Sequence, residues 1–576
     1  MTATVAVLLL AAATSAFVPE NAARVREIAE LLPAKPTMVD PKYAAVLGRA
    51  DIGSAEREMK REVSPFPDDL YLEFFSDGNR SRFQDWRARF LKGLSLLVSA
   101  EAAERKGRFV PAIVARLEAL CDWPSWVLPA HDLDKVNYER RRPHVDLVSS
   151  DLARSLARIF WALGDALPTK TVARVRKEID ERVFTPYLER PQEHWWFFGH
   201  NNWNAVCHAG CVIAALSLIE DRTTRAKFVE SAERGLPSYL EFGFDPDGYC
   251  SEGMGYWNYG FGRFLELGIA VRRATDGKVD YFAHPRTIKA MRYAFAYRLN
   301  GDISPRFADG SGNPDGNLIR LGLDVWPELK AEAAADLPLR SEFPDGQVWL
   351  MRLPAGEGTG FAFGCKGGHN AEHHNHNDVG SYNVLMGGEL IAGDVGYEIY
   401  TARTFGSHRY ESKIINSYGH PVPRVGGRLQ LQGREAAARV VKTDFTDAKD
   451  TVVLDLAKAY DCPTLAELTR TFSFDRVAKV VTVTDHVRFT APTDFESPIM
   501  TTMPDKLNGR YSVTATGGDW EEVEEKLENP GRETPYRRTI RFKDPVVEAT
   551  VAFKFAVMPL MKDEKGCCNH VEALMR

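Results

Sequence analysis

The sequence predicts a two-part chain, helical in its first part and β in its second. Three observations predict it. From about Asn21 to about Leu339, apolar residues recur at spacings of three and four. From about Pro344, they fall in short alternating or β-branched runs between glycine-containing turns. Helices first and strands afterwards imply two segregated domains and not a βαβ protein. At ~100–200 residues per domain, 576 residues also leave room for large cores.

The elements follow in order. Val5 to Ala13 is an apolar run, and the small residues Thr14, Ser15 and Ala16 follow it. Residues 1–17 therefore read as a signal peptide cleaved after Ala16, which places the mature chain in the periplasm or outside the cell. Helical periodicity then marks Arg24 to Leu32, Arg82 to Arg105, Val110 to Leu120, Leu147 to Leu163 and Thr169 to Phe184. It continues through Ala205 to Glu220, Thr224 to Leu240 and Tyr259 to Thr275. Successive helices joined by turns suit a solenoid or toroid of helix pairs, here residues 18–340. The strand runs are Gln347 to Leu353, Gly360 to Cys365, Ser381 to Met386 and Glu389 to Asp394. Thr451 to Leu456, Leu468 to Phe474, Val477 to Phe489 and Val546 to Val557 follow, so the β part is 341–576.

Bulk composition excludes several classes. The net charge is −6, which argues against a nucleic-acid binder with a dominant basic footprint. No later stretch reaches the ~20 apolar residues of a membrane span. Eight cysteines in 576 residues, none in CxxC spacing, are neither a disulfide scaffold nor a zinc ribbon. Aromatic residues make up 11% of the chain, which supplies large cores and suits aromatic-lined clefts for ring-bearing ligands.

Three sites carry residues suited to chemistry. In Phe197-Phe198-Gly199-His200-Asn201-Asn202-Trp203-Asn204, three asparagines stand at the head of an apolar helix that continues through His208. Asn201, Asn204 and His208 share one helical face, and Asn202 lies beside it. Neutral amides at a helix start can bind a carboxylate. The second site is a Gly-rich loop, Asp245 to Tyr259, holding Glu252, Tyr256 and Tyr259. A tyrosine there can donate a proton, or accept one if its pKa falls from ~10. The third site is the most specific: His369, His373, His374 and His376 stand within eight positions. If that segment is extended, His374 and His376 point to one side. With Asp394 and His420, two histidines and a carboxylate make a Zn²⁺ set. Between Arg403 and Arg428, five Arg or Lys, Arg409 among them, face one acid, Glu411. That run reads as a binding surface for an acidic ligand.

These sites, in this order, resemble the heparinase II/III-like polysaccharide lyases, a group that includes alginate and oligoalginate lyases. The residues that carry the resemblance are Asn201-Asn202-Trp203, Glu252-Gly253-Met254-Gly255-Tyr256, His374-Asn375-His376-Asn377-Asp378-Val379-Gly380-Ser381 and Asn416-Ser417-Tyr418-Gly419-His420-Pro421. Membership would imply an incomplete (α/α) toroid followed by an antiparallel β-sandwich. It would also imply β-elimination on a uronic-acid polysaccharide, glycosaminoglycan or alginate-like. Asn202 would neutralise the substrate carboxylate. Tyr256 would be the acid, and the base as well in syn elimination, with Tyr259 as the alternative tyrosine. His374 would assist the carboxylate or act as base in anti elimination. Asn201, His208, Glu252, Tyr259 and Arg409 are the further substrate-binding candidates. His376, Asp394 and His420 would match the family's ligands for a structural Zn²⁺. The expected partner is an acidic polysaccharide or oligosaccharide.

Two other readings use the same residues. A glycoside hydrolase on an (α/α) toroid needs two carboxyl groups ~5–9.5 Å apart, for which Glu252 with Asp247 or Asp309 are candidates. A non-catalytic glycan-binding protein would keep the cleft and the metal alone.

Overall fold

The computed structural model describes residues 18–48, 50–357, 359–557, 561–562 and 568–569. The signal-peptide reading, residues 1–17, lies outside the described residues. An α-helical part is followed by antiparallel sheets, as the sequence pattern predicts, and the change falls between the helix Lys330–Ala334 and the strand Arg340–Phe343. By contacts, the chain forms two compact units. The first holds residues 1–243, 259–287 and 400–407. The second holds 244–258, 288–399 and 408–576, so the Gly-rich loop and the helix Pro285–Ala296 from Ile288 onward group with the strands.

In the first unit, local chemistry sets the helix boundaries. Asp146 starts the helix Leu147–Leu163: its carboxylate accepts from Ser149 N at 2.8 Å, and Ser149 Oγ accepts from Asp146 N at 3.0 Å. This reciprocal cap satisfies two of the N–H groups that a helix start leaves without partners. Asn201 caps the helix Asn202–Leu218, which packs against Leu147–Leu163, Arg222–Phe242 and Gly262–Ala274. Its apolar residues Val206, Cys207, Cys211, Val212 and Ile213 are all buried, so it is an inner helix with no polar stripe. A buried ion cluster ties the N-terminal segment to these helices. Arg154 donates to Asp40 at 2.6 Å and to Glu266 at 2.5 Å, with all three side chains fully buried. Such clusters add little net stability, but losing one partner strands a buried charge.

In the second unit, Arg340–Phe343, Val348–Arg352, Ala362–Lys366, Tyr382–Met386 and Glu389–Gly393 form one antiparallel sheet in that order, while His369–Asn370 pairs separately with Gly433–Ala437. A six-stranded sheet runs Tyr511–Thr516, Val546–Ala556, Val480–Thr493, Leu465–Asp475, Lys449–Asp455, Arg439–Phe445. Register pairs Phe472 with Val483 and Val483 with Phe553. Because side chains alternate along a strand, Leu468, Phe472, Phe474, Val481, Val483 and Val487 all turn to one face. They share one core with Trp349, Met351, Phe363, Cys365 and Val384 of the five-stranded sheet. That is the packing of a β-sandwich. Among the described residues, no helix is long and apolar enough to cross a membrane.

Candidate active site

Three loops of the second unit converge. The first is the Gly-rich loop. Gly248 N donates to Asp245 O at 2.8 Å and closes its opening turn. Gly253 follows with φ +88°, a left-handed conformation that costs glycine nothing. Gly255 N donates to Gly310 O at 2.7 Å, pinning this loop to the segment that carries Asp309. A Cβ on Gly310 would fall 1.6 Å from the Glu252 carbonyl oxygen, far inside van der Waals contact. These glycines therefore permit a backbone-to-backbone approach that a larger residue would block. Trp257, fully buried, anchors the end of the loop by donating Nε1 to Ala290 O at 2.7 Å. The short helical turn Met254–Tyr256 then presents the half-buried Tyr256.

The second loop is the histidine segment. Lys366, buried at its base, holds both ends: Nζ lies 2.8 Å from Glu372 and 2.9 Å from Asp378. The segment between them is not extended. His374 has φ +55°, in the left-handed region that costs a non-glycine residue of order 1–3 kcal/mol. The same-side reading for His374 and His376 thus rests on the wrong backbone. Both rings nevertheless reach one carboxylate, on the third loop. Asp309 Oδ2 lies 3.0 Å from His374 Nδ1, and Asp309 Oδ1 lies 2.8 Å from His376 Nε2. Tyr256 stacks on His374, with ring centroids 4.0 Å apart and planes at 24°. His374 Nε2 stands 3.6 Å from Glu252 Oε1, and Glu252 is buried.

Arg409 completes the cluster. Its Nη2 donates to Asp309 Oδ2 at 3.0 Å and to the Asn375 carbonyl at 2.9 Å. Burial by itself would raise the Asp309 pKa. Hydrogen bonds from His374 and His376, with the charges on His376 and Arg409, hold it well below the usual carboxylate range. Arg409, read from sequence as a substrate contact, here clamps the histidine loop.

The predicted metal set converges. One potential ligand atom each from the buried His376, Asp394 and His420 lies within 4.8 Å of the others. His376 Nδ1 and His420 Nε2 are buried and accept no hydrogen bond, although each ring's other nitrogen is bonded. Two orphaned imidazole nitrogens beside a buried carboxylate are a donor set that fits a divalent ion. Burial raises the Asp394 pKa, but the charge and hydrogen bond of His420, with the charge on His376 and the hydrogen bond from Gly396 N, together bring it below the usual carboxylate value.

The remaining predicted residues lie in the first unit. Asn201 is the helix cap, its side chain accepting from Trp203 N at 3.1 Å. Asn202 is the first residue of that helix and is buried, its Cβ against Gly260. Asn204 is fully buried and donates to Phe197 O and Gly235 O, both at 3.0 Å. Tyr259 sits in the turn Trp257–Phe261, with the Arg263 guanidinium 6.0 Å from its ring. Burial raises its pKa, so the phenol stays protonated. His208 is a correction. It is fully buried, with Nδ1 2.7 Å from Tyr187 Oη and Nε2 3.1 Å from Phe197 O. Both nitrogens are committed to the core, so His208 offers nothing to a substrate.

The cationic run is a second correction. Lys413 pairs with Glu525 at 3.2 Å, Arg424 with Glu496 at 3.6 Å and Arg428 with Asp461 at 3.2 Å. With Arg409 on Asp309, four of the five cations have acidic partners brought from elsewhere in the chain. A local charge count cannot see these partners. Asp309 is also the site residue that the sequence reading placed in a different role, as a hydrolase carboxyl. Its only local signal is a carboxylate before a glycine, in Ala308-Asp309-Gly310.

No protein-family model matches the chain, and no curated protein matches it by sequence. Solved structures do match. A crystal structure of heparinase III aligns with TM-score 0.67 at 12% identity, covering 94% of this chain and 92% of that one. Heparan sulfate lyase HepC from Pedobacter heparinus aligns at TM-score 0.55 and 13% identity, over 95% and 90%. A further heparinase III gene product aligns at TM-score 0.62 and 12% identity, over 88% and 84%. The chain therefore has the heparinase fold, an α-toroid followed by a β-sandwich.

Proposed function

We propose that the protein is a polysaccharide lyase that cleaves a uronate-containing glycosaminoglycan by β-elimination. The observation that carries this reading is the stack of Tyr256 on His374. Elimination needs a base for the C5 proton and an acid for the leaving glycosidic oxygen. A phenol in contact with an imidazole supplies both at one place. In the anti sense, His374 Nε2 accepts the C5 proton and the Tyr256 hydroxyl protonates the leaving oxygen. In the syn sense, Tyr256 does both. The third task is to neutralise the carboxylate so that C5 becomes acidic, and an amide donor suits it. We assign that task to Asn202, from its motif and its chemistry. The glycosaminoglycan class is supported by the heparan sulfate lyases of the same fold.

His376, Asp394 and His420 would hold a structural Zn²⁺. When bound, the ion would supply a fixed positive charge that ties three separate chain segments together. The apolar N-terminal run supports export to the periplasm or beyond.

The hydrolase reading weakens at Asp309. An ionised carboxylate could serve a hydrolase only as its nucleophile or base, and both oxygens of Asp309 are already engaged, by His374 and Arg409 on one side and His376 on the other.

A substrate panel tests the proposal. Heparan sulfate, chondroitin sulfate, hyaluronan and alginate are incubated with the protein, and ultraviolet absorbance of the unsaturated product is followed. The proposal expects a rise with at least one glycosaminoglycan. A rise with alginate alone moves the substrate class, and no rise with any uronate rejects the lyase.

A further inference from the structure

In the first unit, three rings stand in a row. Trp195 and Trp203 lie with centroids 4.9 Å apart and planes at 47°. His131 meets Trp203 edge-on, at 4.5 Å and 65°. Rings tilted in this way do not hide one another's faces, and Trp195 is 61% exposed. The residues on either side of it are buried. His194 Nε2 accepts from Val145 N at 3.0 Å, and Trp196 Nε1 donates to Val145 O at 2.8 Å. Two buried anchors on one residue fix this segment and turn the indole between them outward, forgoing the gain that burying it would bring. His131 is held as firmly. Its Nδ1 lies 2.7 Å from Asp146 Oδ2, while Asp146 Oδ1 accepts from the backbone N–H groups of Val148 and Ser149. Among the described residues, neither indole N–H nor His131 Nε2 has a hydrogen-bond partner, and none of the three is sealed in the core.

We propose that Trp195, Trp203 and His131 form a glycan-binding subsite of the helical unit, which takes a pyranose ring of an oligosaccharide. A pyranose has an apolar face of C–H groups and a rim of hydroxyls. The face packs on the exposed indole, and the hydroxyls reach the indole N–H groups and His131 Nε2 at the ring edges. Aromatic side chains with an apolar body and a polar handle suit a ligand of that kind. Rings already held in place lose little freedom on binding, so more of the contact energy appears as affinity. A protein partner fits less well. A stable protein interface covers about 800 Å² on each side, and only one ring of this row is largely exposed. None of the three side chains carries a fixed charge, so the subsite reads the sugar ring and not its acid groups. It does not rest on the lyase reading.

Binding tests the subsite separately from cleavage. Hexasaccharides of heparan sulfate, chondroitin sulfate, hyaluronan and alginate are used with their uronate carboxyls reduced to alcohols, which removes the acidity that elimination needs. Titration calorimetry gives Kd for the wild type, Trp195→Phe and Trp195→Ala. At least one hexasaccharide is expected to bind, with Trp195→Ala weakening it roughly two- to tenfold and Trp195→Phe by less. The ratio of wild-type to Trp195→Ala affinity is expected to hold from low to high salt, because apolar stacking is not screened as ion pairs are. In protein carrying 5-fluorotryptophan, the ¹⁹F resonance that disappears in Trp195→Phe is expected to shift when the sugar binds. Equal affinity of the wild type and Trp195→Ala overturns the subsite, as does an affinity ratio that collapses at high salt. Failure of every hexasaccharide to bind the wild type overturns it too. Binding that passes these tests in a protein that forms no unsaturated product from any intact uronate keeps the subsite and rejects the lyase alone.

Discussion

Tyr256 lies nearly flat on His374, ring centroids 4.0 Å apart, and Asp309 holds that same imidazole from its edge at 3.0 Å. The ring is thereby fixed in orientation and in distance from the phenol. Orientation of this kind is what converts a chance encounter of acid, base and substrate into an intramolecular step.

Removing either member of the stack removes a proton-transfer partner. Tyr256→Phe and His374→Ala are each expected to lower kcat about 10²- to 10⁴-fold, the usual share of general acid–base catalysis. Tyr259→Phe is expected to leave kcat within about threefold, because Tyr259 sits in a separate turn beside Arg263. Initial rates of all three variants settle which tyrosine acts. Full activity in Tyr256→Phe with loss in Tyr259→Phe would exchange the two roles.

The metal set predicts a stability effect. Zinc held at 100 times its Kd stabilises the folded state by about 2.7 kcal/mol. At roughly 2–4 °C per kcal/mol for a unit of this size, chelation should lower Tm by about 5–10 °C. His376→Ala and His420→Ala should abolish both the bound zinc, read by elemental analysis, and the response of Tm to chelator. A wild-type Tm indifferent to chelator would remove the metal from the account.

Gly310 predicts a steric effect. Gly310→Ala places a methyl against the Glu252 carbonyl, so one of the two loops must move. Overpacking of this kind costs typically 1–3 kcal/mol. Both a lower denaturation midpoint and a lower kcat are expected, since the displaced loop carries Tyr256. Gly316→Ala, with nothing near its Cβ position and, like Gly310, no positive φ, is the control for replacing a glycine without a steric clash.

His208 predicts the sign of a pH dependence. Burial lowers its pKa from the usual 6.5 to about 3 in the folded chain. The unfolded chain therefore binds a proton in the window between about 6.5 and 3 that the folded chain refuses. Stability is fully present above pH 6.5 and is lost as pH falls through that window. His194, lowered to about 4 by the same cause, adds to the slope. At about 1.4 kcal/mol per pH unit, His208 should cost roughly 2 kcal/mol between pH 7 and pH 5. Urea melts of the wild type and His208→Gln at both pH values measure it. An equal pH dependence in the two proteins would refute the assignment.

The sequence was most informative where chemistry is local. Leu147–Leu163 has the boundaries that its periodicity predicts, because Asp146 caps it and Gly164 ends it. His376, Asp394 and His420 stand out in the sequence because a dense histidine pattern and a strand-end aspartate are uncommon, and the fold brings one ligand atom of each within 4.8 Å of the others. His208 misled because the helix Asn202–Leu218 is buried on all sides, and i, i+7 spacing cannot tell a cleft from a core. The run from Arg403 to Arg428 misled because Glu525, Glu496 and Asp461 reach it from strands and turns far along the chain. Asp309 was legible only as a carboxylate, since its partners lie 65 to 100 residues away.

The central claim is that the Tyr256–His374 pair breaks a glycosidic bond by elimination and not by hydrolysis. One paired measurement on heparan sulfate tests it: ultraviolet absorbance and new reducing ends, counted in the same reaction. The account predicts one unsaturated uronate for every reducing end formed, with both signals lost together in Tyr256→Phe and His374→Ala. Reducing ends that form without absorbance would contradict it.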